Sequence, residues 1–146
     1  MWLYKGNEFT SEDIGDNAGF VYLIENLETG QLYLGKKVFW SKRTLPPLKG
    51  KKRKRKVIKE SDWKSYWSSS KSLKESVQQL GEGKFRRTIL SLHKTRSMLN
   101  YAELCEQILR DVLHARLPNG ERMYINDNID RVYYNSNTLP LEEFVE

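Results

Sequence analysis

Alternating apolar and polar positions near the start of the chain predict a β-hairpin. Residues 19–25 (GFVYLIE) are rich in aromatic and β-branched side chains, and residues 31–38 (QLYLGKKV) alternate again after the turn NLETG. Because successive side chains of a strand point to opposite faces, we expect Tyr22 and Ile24 on one face and Leu23 on the other.

Three more elements follow from the downstream pattern. An apolar stripe predicts a helix over about 70–80 that ends at Gly81, and residues 85–92 (FRRTILSL) predict a third strand. A second helix is predicted over about 101–115, with Asn100 as its N-cap. Its apolar stripe is expected to comprise Tyr101, Leu104, Cys105, Ile108, Val112 and Leu113.

Residues 41–60 interrupt this pattern and are predicted to form a long polar loop, because Pro46-Pro47 and Gly50 break any regular element. The order of hairpin, loop, helix, strand and helix indicates an α/β (α+β) fold. Its sheet is expected to be small, mostly antiparallel and three-stranded, with flanking helices.

Composition narrows the class of protein. The 146 residues are 38% hydrophobic and 30% charged, which is typical of one globular domain with a polar surface. The sequence contains no apolar stretch long enough for a membrane helix, and residues 1–16 lack the apolar segment of a secretory signal. Cys105 is the only cysteine, so we expect no internal disulfide, no zinc finger and a cytoplasmic location.

The positive charge is concentrated in one central segment. Residues 36–59 contain twelve of the 25 Lys and Arg residues and no Asp or Glu, whereas residues 1–35 and 121–146 each carry six acidic residues. Such a block requires a polyanion or solvent beside it, and nucleic acid is the expected partner. The residues expected to contact DNA are Lys37, Lys42, Lys49, Lys51, Lys52, Arg53, Lys54, Arg55, Lys56 and Lys64. The KKRKRK run among them also fits a nuclear localisation signal or a solvated loop.

The hairpin carries a family resemblance. Phe20-Val21-Tyr22 and Tyr33-Leu34-Gly35 resemble the paired tripeptides that name the GIY-YIG nucleases, although Phe and Val replace the usual Gly and Ile. Arg43, Glu103 and Asn126 follow in the order of the family's catalytic arginine, metal-binding glutamate and late asparagine. The resemblance therefore extends from the hairpin to the polar residues that a nuclease site needs.

Over residues 19–132 the chain is also similar to a phage-type subgroup related to the Seg mobile endonucleases. A run of serines at 68–70 departs from the glycine often found in relatives. The resemblance implies one nuclease domain, 1–146, with its catalytic core at about 19–132 and a basic DNA-binding loop at about 41–60. We expect no separate DNA-recognition domain of the homing type. A phage-encoded enzyme, homing-like or DNA-degrading, acting in the host-cell cytoplasm is the implied setting.

The expected reaction is metal-dependent hydrolysis of phosphodiester bonds in double-stranded DNA, and the resemblance implies 5′-phosphate and 3′-hydroxyl products. Glu103 would bind one Mg²⁺ or Mn²⁺ ion, and Arg43 would contact the non-bridging oxygens of the phosphate. Tyr22 would act as the general base or hold the attacking water. A neighbouring cation, Lys36, is expected to lower the pKa of the Tyr22 phenol.

Two further residues complete the expected site. Tyr33 would position the phosphate or the water, and Asn126 would support the site by hydrogen bonding, with Asn128 as its alternative. For either tyrosine of the hairpin, packing between strands is the competing interpretation. The aromatic residues within 63–67 could stack on DNA bases, but such residues more often belong to a core.

Glu103, Arg43 and the chain as a whole each have a competing interpretation at the level of sequence. Glu103 could be an exposed residue in the first turn of its helix, and Glu106 could replace it as the metal ligand. Arg43 could be one more phosphate-contacting residue of the basic segment. The whole chain could be a non-catalytic nucleic-acid-binding module, and its oligomeric state could be a monomer or a DNA-induced dimer.

Overall fold

A five-stranded sheet forms the centre of the computed structural model, which describes residues 1–144. In chain order, the strands are β1 (Trp2–Tyr4), β2 (Asn7–Phe9), β3 (Gly19–Asn26), β4 (Leu32–Val38), β5 (Trp40–Leu45), β6 (Arg55–Glu60), β7 (Phe85–His93), β8 (Asn128–Ile129) and β9 (Tyr133–Tyr134). The helices are α1 (Lys71–Leu80) and α2 (Arg96–Leu109), with short 3-10 helices at Ser11–Asp13, Trp63–Ser65, Glu82–Lys84, Asn135–Asn137 and Leu141–Glu143. The sheet order is β2-β1-β7-β3-β4, in which β1 and β7 are parallel and the other neighbours antiparallel.

The predicted fold class and the mostly antiparallel sheet are confirmed, but the sheet has five strands and not three. The additional strands, β1 and β2, come from residues 2–9, which lie outside the predicted core of 19–132. Each has only three residues, and both residues of the Lys5-Gly6 turn between them adopt positive φ. Strands this short offer too few alternating positions for a hydrophobic pattern to predict them.

The sheet separates two clusters of buried side chains, and β3 contributes to both. Tyr22 and Ile24 belong to one cluster, whereas Leu23 packs against the other, on the face covered by α2. The predicted facing of these three residues is therefore confirmed. The first cluster is mainly aromatic, with Trp2, Phe9, Phe20, Tyr22, Phe39, Trp63 and Phe85.

Helix α1 forms where the sequence predicts it. The Ser70 hydroxyl accepts a hydrogen bond from the Leu73 backbone N–H at 3.3 Å, which is the expected N-cap contact. The helix ends at Gly81, whose φ of 89° is readily adopted by glycine. Neither helix of the described part, residues 1–144, is long and apolar enough to cross a membrane.

Helix α2 differs from its prediction at both ends. It begins at Arg96, where the Thr95 hydroxyl accepts from the Met98 N–H at 3.1 Å, so Asn100 lies inside the helix and does not cap it. It ends at Leu109, and two residues of the expected apolar stripe are largely exposed, Tyr101 at 63% and Ile108 at 46%. The helix itself is confirmed over residues 101–109, and its predicted end ran too far because the buried Val112 and Leu113 lie in the turn after the helix and still continue its apolar pattern.

The segment 41–60, predicted to be a loop, is instead an antiparallel two-stranded ribbon. Strands β5 and β6 pair from Trp40 opposite Glu60 to Leu45 opposite Arg55, and residues 46–54 connect them. We call residues 40–60 the basic ribbon. Its base is attached to the body of the protein by Ser61, whose N–H donates to the Phe39 carbonyl at 2.7 Å and whose hydroxyl donates to the Val38 carbonyl at 2.6 Å.

Candidate active site

A pocket of about 460 Å³ opens beside β3 and β4 and is closed by α2, the 66–70 segment and the 126–131 segment. Five of the six predicted catalytic residues line it: Tyr22, Tyr33, Lys36, Glu103 and Asn126. These residues come from four separate parts of the chain, so only the tertiary fold brings them together. We call this the tyrosine–glutamate pocket.

The two tyrosines of the tripeptides lie side by side over a glycine. Their rings stack with centroids 6.3 Å apart, and Tyr22 faces Gly35 directly across the two strands. A Cβ atom added at Gly35 would lie 2.5 Å from the Tyr22 hydroxyl oxygen, closer than any side chain can tolerate. The glycine of the second tripeptide is therefore required because the phenol of the first tripeptide crosses it.

Burial controls the ionisation of these tyrosines. Tyr22 is only 1% exposed, and burial raises the pKa of its phenol well above the usual value, with Tyr33 and Tyr66 adding to the effect. Burial raises the pKa of Tyr33 as well. The expectation of a lowered Tyr22 pKa beside Lys36 is wrong, because burial raises that pKa. Tyr22 is therefore a neutral phenol at physiological pH.

Lys36 instead forms an ion pair with Glu103, whose carboxylate oxygen lies 3.4 Å from the lysine nitrogen. The Glu103 side chain is 19% exposed and lies in the middle of α2, not in an exposed first turn as one sequence interpretation suggested. Its burial raises the pKa of the carboxyl group, Asp130 raises it further, and Lys36 opposes both effects. The alternative ligand, Glu106, pairs with Arg110 at 2.6 Å and does not line this pocket.

The oxygen donors of the pocket suit a hard divalent cation. Mg²⁺ is usually held by one or two carboxylates, and it keeps several waters or phosphate oxygens as its other ligands. Glu103 supplies one carboxylate, and Asp127 and Asp130 line the same pocket. Within residues 1–144 no three His, Cys, Asp or Glu residues converge as they would in a site made only of protein ligands. The donor set therefore fits an ion shared between Glu103, water and a substrate phosphate.

The buried side chain of Asn126 links two segments of the chain by hydrogen bonds. Its side-chain oxygen accepts from the Leu34 N–H at 3.1 Å, and its side-chain nitrogen donates to the Leu34 carbonyl at 2.7 Å. Asn126 is 3% exposed, and both its amide oxygen and its amide nitrogen bond to the backbone of β4, which joins this strand to the 124–126 segment. The other candidate asparagine, Asn128, accepts from the Arg131 N–H at 3.0 Å and so shapes the adjacent turn.

Arg43 is the predicted site residue that the structure leaves outside. It lies on β5, opposite Val57, and is exposed. The arginine that lines the tyrosine–glutamate pocket is Arg131, in the turn between β8 and β9, and no other arginine of residues 1–144 does so. Asp130 and Arg131 both adopt positive φ, 55° and 60°, which aims this turn back at the pocket. The sequence offered only a weak signal for Arg131, a polar NDNID segment after Asn126.

The residues expected to contact DNA are nearly all exposed on the basic ribbon. Lys37 is an exception, because its ammonium is 2.6 Å from Asp62 and 4.1 Å from the centre of the Tyr66 ring. Lys64 is exposed next to Trp63. Trp63 itself is 1% exposed and belongs to the core, which confirms the structural interpretation of that aromatic residue.

The family model described as "Putative endonuclease segE, GIY-YIG domain" matches residues 2–129. Because this match covers most of the chain, the protein belongs to the GIY-YIG endonuclease family and is a nuclease related to the Seg endonucleases. A nuclease domain of this family implies DNA as the substrate. No curated protein and no solved structure gave a significant match. The match begins at residue 2, so strands β1 and β2 are part of the family domain.

Proposed function

We propose that this protein is a metal-dependent endonuclease that hydrolyses phosphodiester bonds of double-stranded DNA in the tyrosine–glutamate pocket. The observation that carries the proposal is the convergence of Tyr22, Tyr33, Lys36 and Glu103 around one cavity, with Lys36 and Glu103 in direct contact. Structural needs alone do not explain a half-buried glutamate whose ionised form is destabilised by its surroundings.

Glu103 is the residue that would hold Mg²⁺ or Mn²⁺. When bound, the ion would neutralise charge on the phosphoryl group and stabilise the leaving 3′-oxygen. In the structure the Lys36 ammonium is the cation beside Glu103. On DNA binding Lys36 turns from the carboxylate to a non-bridging phosphate oxygen.

The neutral phenol of Tyr22 supports a role in holding the attacking water. A phenol whose pKa is raised is scarcely ionised at neutral pH, so it does not serve as a base, but its O–H group can orient a water molecule by donating and accepting hydrogen bonds. Tyr33 is more accessible and, at the mouth of the pocket, can donate to a phosphate oxygen. Asn126 acts indirectly, because it fixes the strand that carries Tyr33, Gly35 and Lys36.

Arg131 is the guanidinium that we assign to the phosphate in place of Arg43. The planar guanidinium of arginine can donate two parallel hydrogen bonds to two oxygens of one phosphate. Residues 1–144 form one such pocket, so each catalytic event cuts one strand. A double-strand break then requires two successive nicks or a DNA-induced dimer. The resemblance to the Seg enzymes favours a phage-encoded role in DNA mobility or degradation.

Supercoiled plasmid provides the test of this function. We expect nicking that depends on Mg²⁺ or Mn²⁺ in the native protein and is lost in Glu103→Gln. Glu106→Gln is the matched control, since Glu106 is on the same helix but outside the pocket. Metal-independent binding without cleavage would favour a non-catalytic nucleic-acid-binding module instead.

A further inference from the structure

Beyond its attached base, the basic ribbon has no other part of residues 1–144 packed on either face. Every residue from Lys42 to Lys59 except Leu45 is exposed, and this includes the apolar Val57 at 37% and Ile58 at 61%. A two-stranded hairpin without a packed face is only marginally stable in water. The ribbon is therefore expected to be stabilised by binding to a partner. Because residues 42–59 contain ten cationic and no acidic side chains, the surface of that partner must be anionic.

The pairing register places the two strand arginines on one face together with Lys59, which lies opposite Ser41, and the other two strand lysines on the opposite face. Arg43 lies opposite Val57, and Arg55 lies opposite Leu45, so both strand arginines share one face. Lys42 and Lys56 lie on the other face, opposite Ile58 and Thr44 respectively. A planar guanidinium donates two hydrogen bonds to guanine O6 and N7 in a fixed geometry, whereas the lysine ammonium is a point charge on a flexible stem that readily contacts phosphate. The two faces thus suit different parts of a duplex.

We propose that the basic ribbon enters the major groove of B-form DNA with its arginine face toward the base edges. The groove is about 12 Å wide and admits a two-stranded ribbon. Arg43 and Arg55 donate to the O6 and N7 acceptors of guanine, and Val57 contacts a thymine methyl group. Lys42 and Lys56, on the opposite face, contact phosphates. This inference rests on the proposed function for its ligand, double-stranded DNA.

The connection between ribbon and pocket sets where these contacts fall. Lys36 lines the pocket, and Arg43 follows seven residues later, a separation that spans at most about 25 Å. One turn of B-form DNA is roughly 34 Å long. The Arg43 contact therefore lies within about one helical turn of the cut phosphate. Because Trp40 also donates to the Asn17 carbonyl at 3.3 Å, the direction of the ribbon is fixed at its base.

The first part of the test is a binding-site selection from random duplexes, made with the full-length chain in EDTA so that no cleavage is needed. The selected duplex is then remade with 7-deazaguanine, which lacks the N7 acceptor in the major groove. We expect the native protein to bind the remade duplex about 5- to 150-fold more weakly, the range for losing one bidentate contact. Equal affinity for the two duplexes would overturn the proposal.

Two double variants separate the faces of the ribbon. Arg43→Ala with Arg55→Ala removes the donors assigned to guanine and should bring the affinity ratio of the two duplexes close to one. Lys42→Ala with Lys56→Ala should weaken binding to both duplexes and reduce the slope of log affinity against log salt by about two, while preserving the ratio. If the affinity ratio of the two duplexes falls to one in the lysine variant but keeps its native value in the arginine variant, the assignment of the two faces is wrong.

Double-stranded RNA provides an independent check, because the major groove of A-form RNA is too deep and narrow for a ribbon. An RNA duplex should compete poorly, and strong competition would overturn insertion into the groove. The outcomes also distinguish this inference from the proposed function. Plasmid cleavage without any effect of 7-deazaguanine would refute the ribbon alone, whereas a clear effect without cleavage would refute the nuclease activity alone.

Discussion

Lys36 and Glu103 lie 3.4 Å apart inside the tyrosine–glutamate pocket, one from a sheet strand and the other from the middle of α2. The attraction of the lysine does not fully offset the burial of the carboxylate, because the pKa of Glu103 remains raised. The pair therefore holds a partly buried carboxylate at a cost in stability, as is common among residues of functional sites.

This relationship predicts that Glu103→Gln stabilises the protein in the absence of metal. A carboxyl group whose pKa is raised by folding favours the folded state when protonated and disfavours it when ionised, so the native chain loses stability as pH rises through that pKa. At pH 7 we expect the melting temperature of the variant to exceed that of the native protein by a few degrees, where about 1 kcal/mol corresponds to roughly 4 °C.

The same variant has two internal controls in thermal melts. The difference in melting temperature should disappear near pH 4, where Glu103 is protonated in the native chain. Glu106→Gln, which breaks the ion pair to Arg110, should give no stabilisation at any pH. A Glu103→Gln protein that is less stable than the native protein at pH 7 would show that the ion pair with Lys36 outweighs the burial.

The pH dependence of cleavage follows from the same two residues. Glu103 must be ionised to hold a cation, so the rate should fall on acidification at a pH above the ordinary glutamate range. Lys36 lowers the pKa of Glu103, and Lys36→Gln should therefore move this acidic limb to higher pH, in addition to reducing the maximal rate. Single-turnover rates measured from pH 5 to 9 provide the test. If the acidic limb lies at the same pH in Lys36→Gln and in the native protein, Glu103 is not the group whose ionisation sets that limb.

Arg131 and Arg43 should have different effects when substituted. Arg131 lines the pocket, so we expect Arg131→Lys to reduce the single-turnover rate at saturating DNA by about 100-fold, as for the loss of one transition-state donor. Arg43→Lys should alter affinity and sequence preference and leave that saturating rate within a few fold. The opposite pattern would mean that the ribbon folds over the pocket when DNA is bound.

Gly35 offers a test of the tyrosine geometry. In Gly35→Ala the new methyl group meets the Tyr22 phenol at 2.5 Å, and an overpacked core of this kind is destabilised by about 1–3 kcal/mol. We expect both a lower denaturation midpoint and a loss of cleavage. Gly83→Ala is the matched control, because a Cβ at Gly83 meets nothing within 4 Å. Equal effects of the two substitutions would contradict the packing of Tyr22 over Gly35.

The hairpin and α1 were predictable from sequence because each buries a regular apolar face. Helix α2 was predicted, but its bounds were shifted toward the C-terminus, because the buried Val112 and Leu113 lie in the turn after the helix and still continue its apolar pattern. Its inward positions also include the polar Glu103 and Gln107, which line the pocket. Apolar periodicity detects packing, and it cannot report polar residues that are buried for function.

The ribbon and the pocket arginine were missed for different reasons. Residues 41–60 carry charge on both faces of each strand, so no alternation was available to predict β5 and β6. Arg131 lines the pocket from a turn with two positive φ values, and the polar segment before it gave only a weak signal for that geometry. The family spacing led to Arg43 instead, and the two-stranded pairing of that segment holds it outside the pocket.

The most direct test of the central claim is single-turnover cleavage of an end-labelled DNA duplex in Mg²⁺, with binding followed by fluorescence anisotropy in the same samples. The native protein and Glu106→Gln should cut the duplex, whereas Glu103→Gln should bind it with similar affinity and leave it intact. Cleavage by Glu103→Gln at the native rate would contradict the assignment of this pocket as the active site.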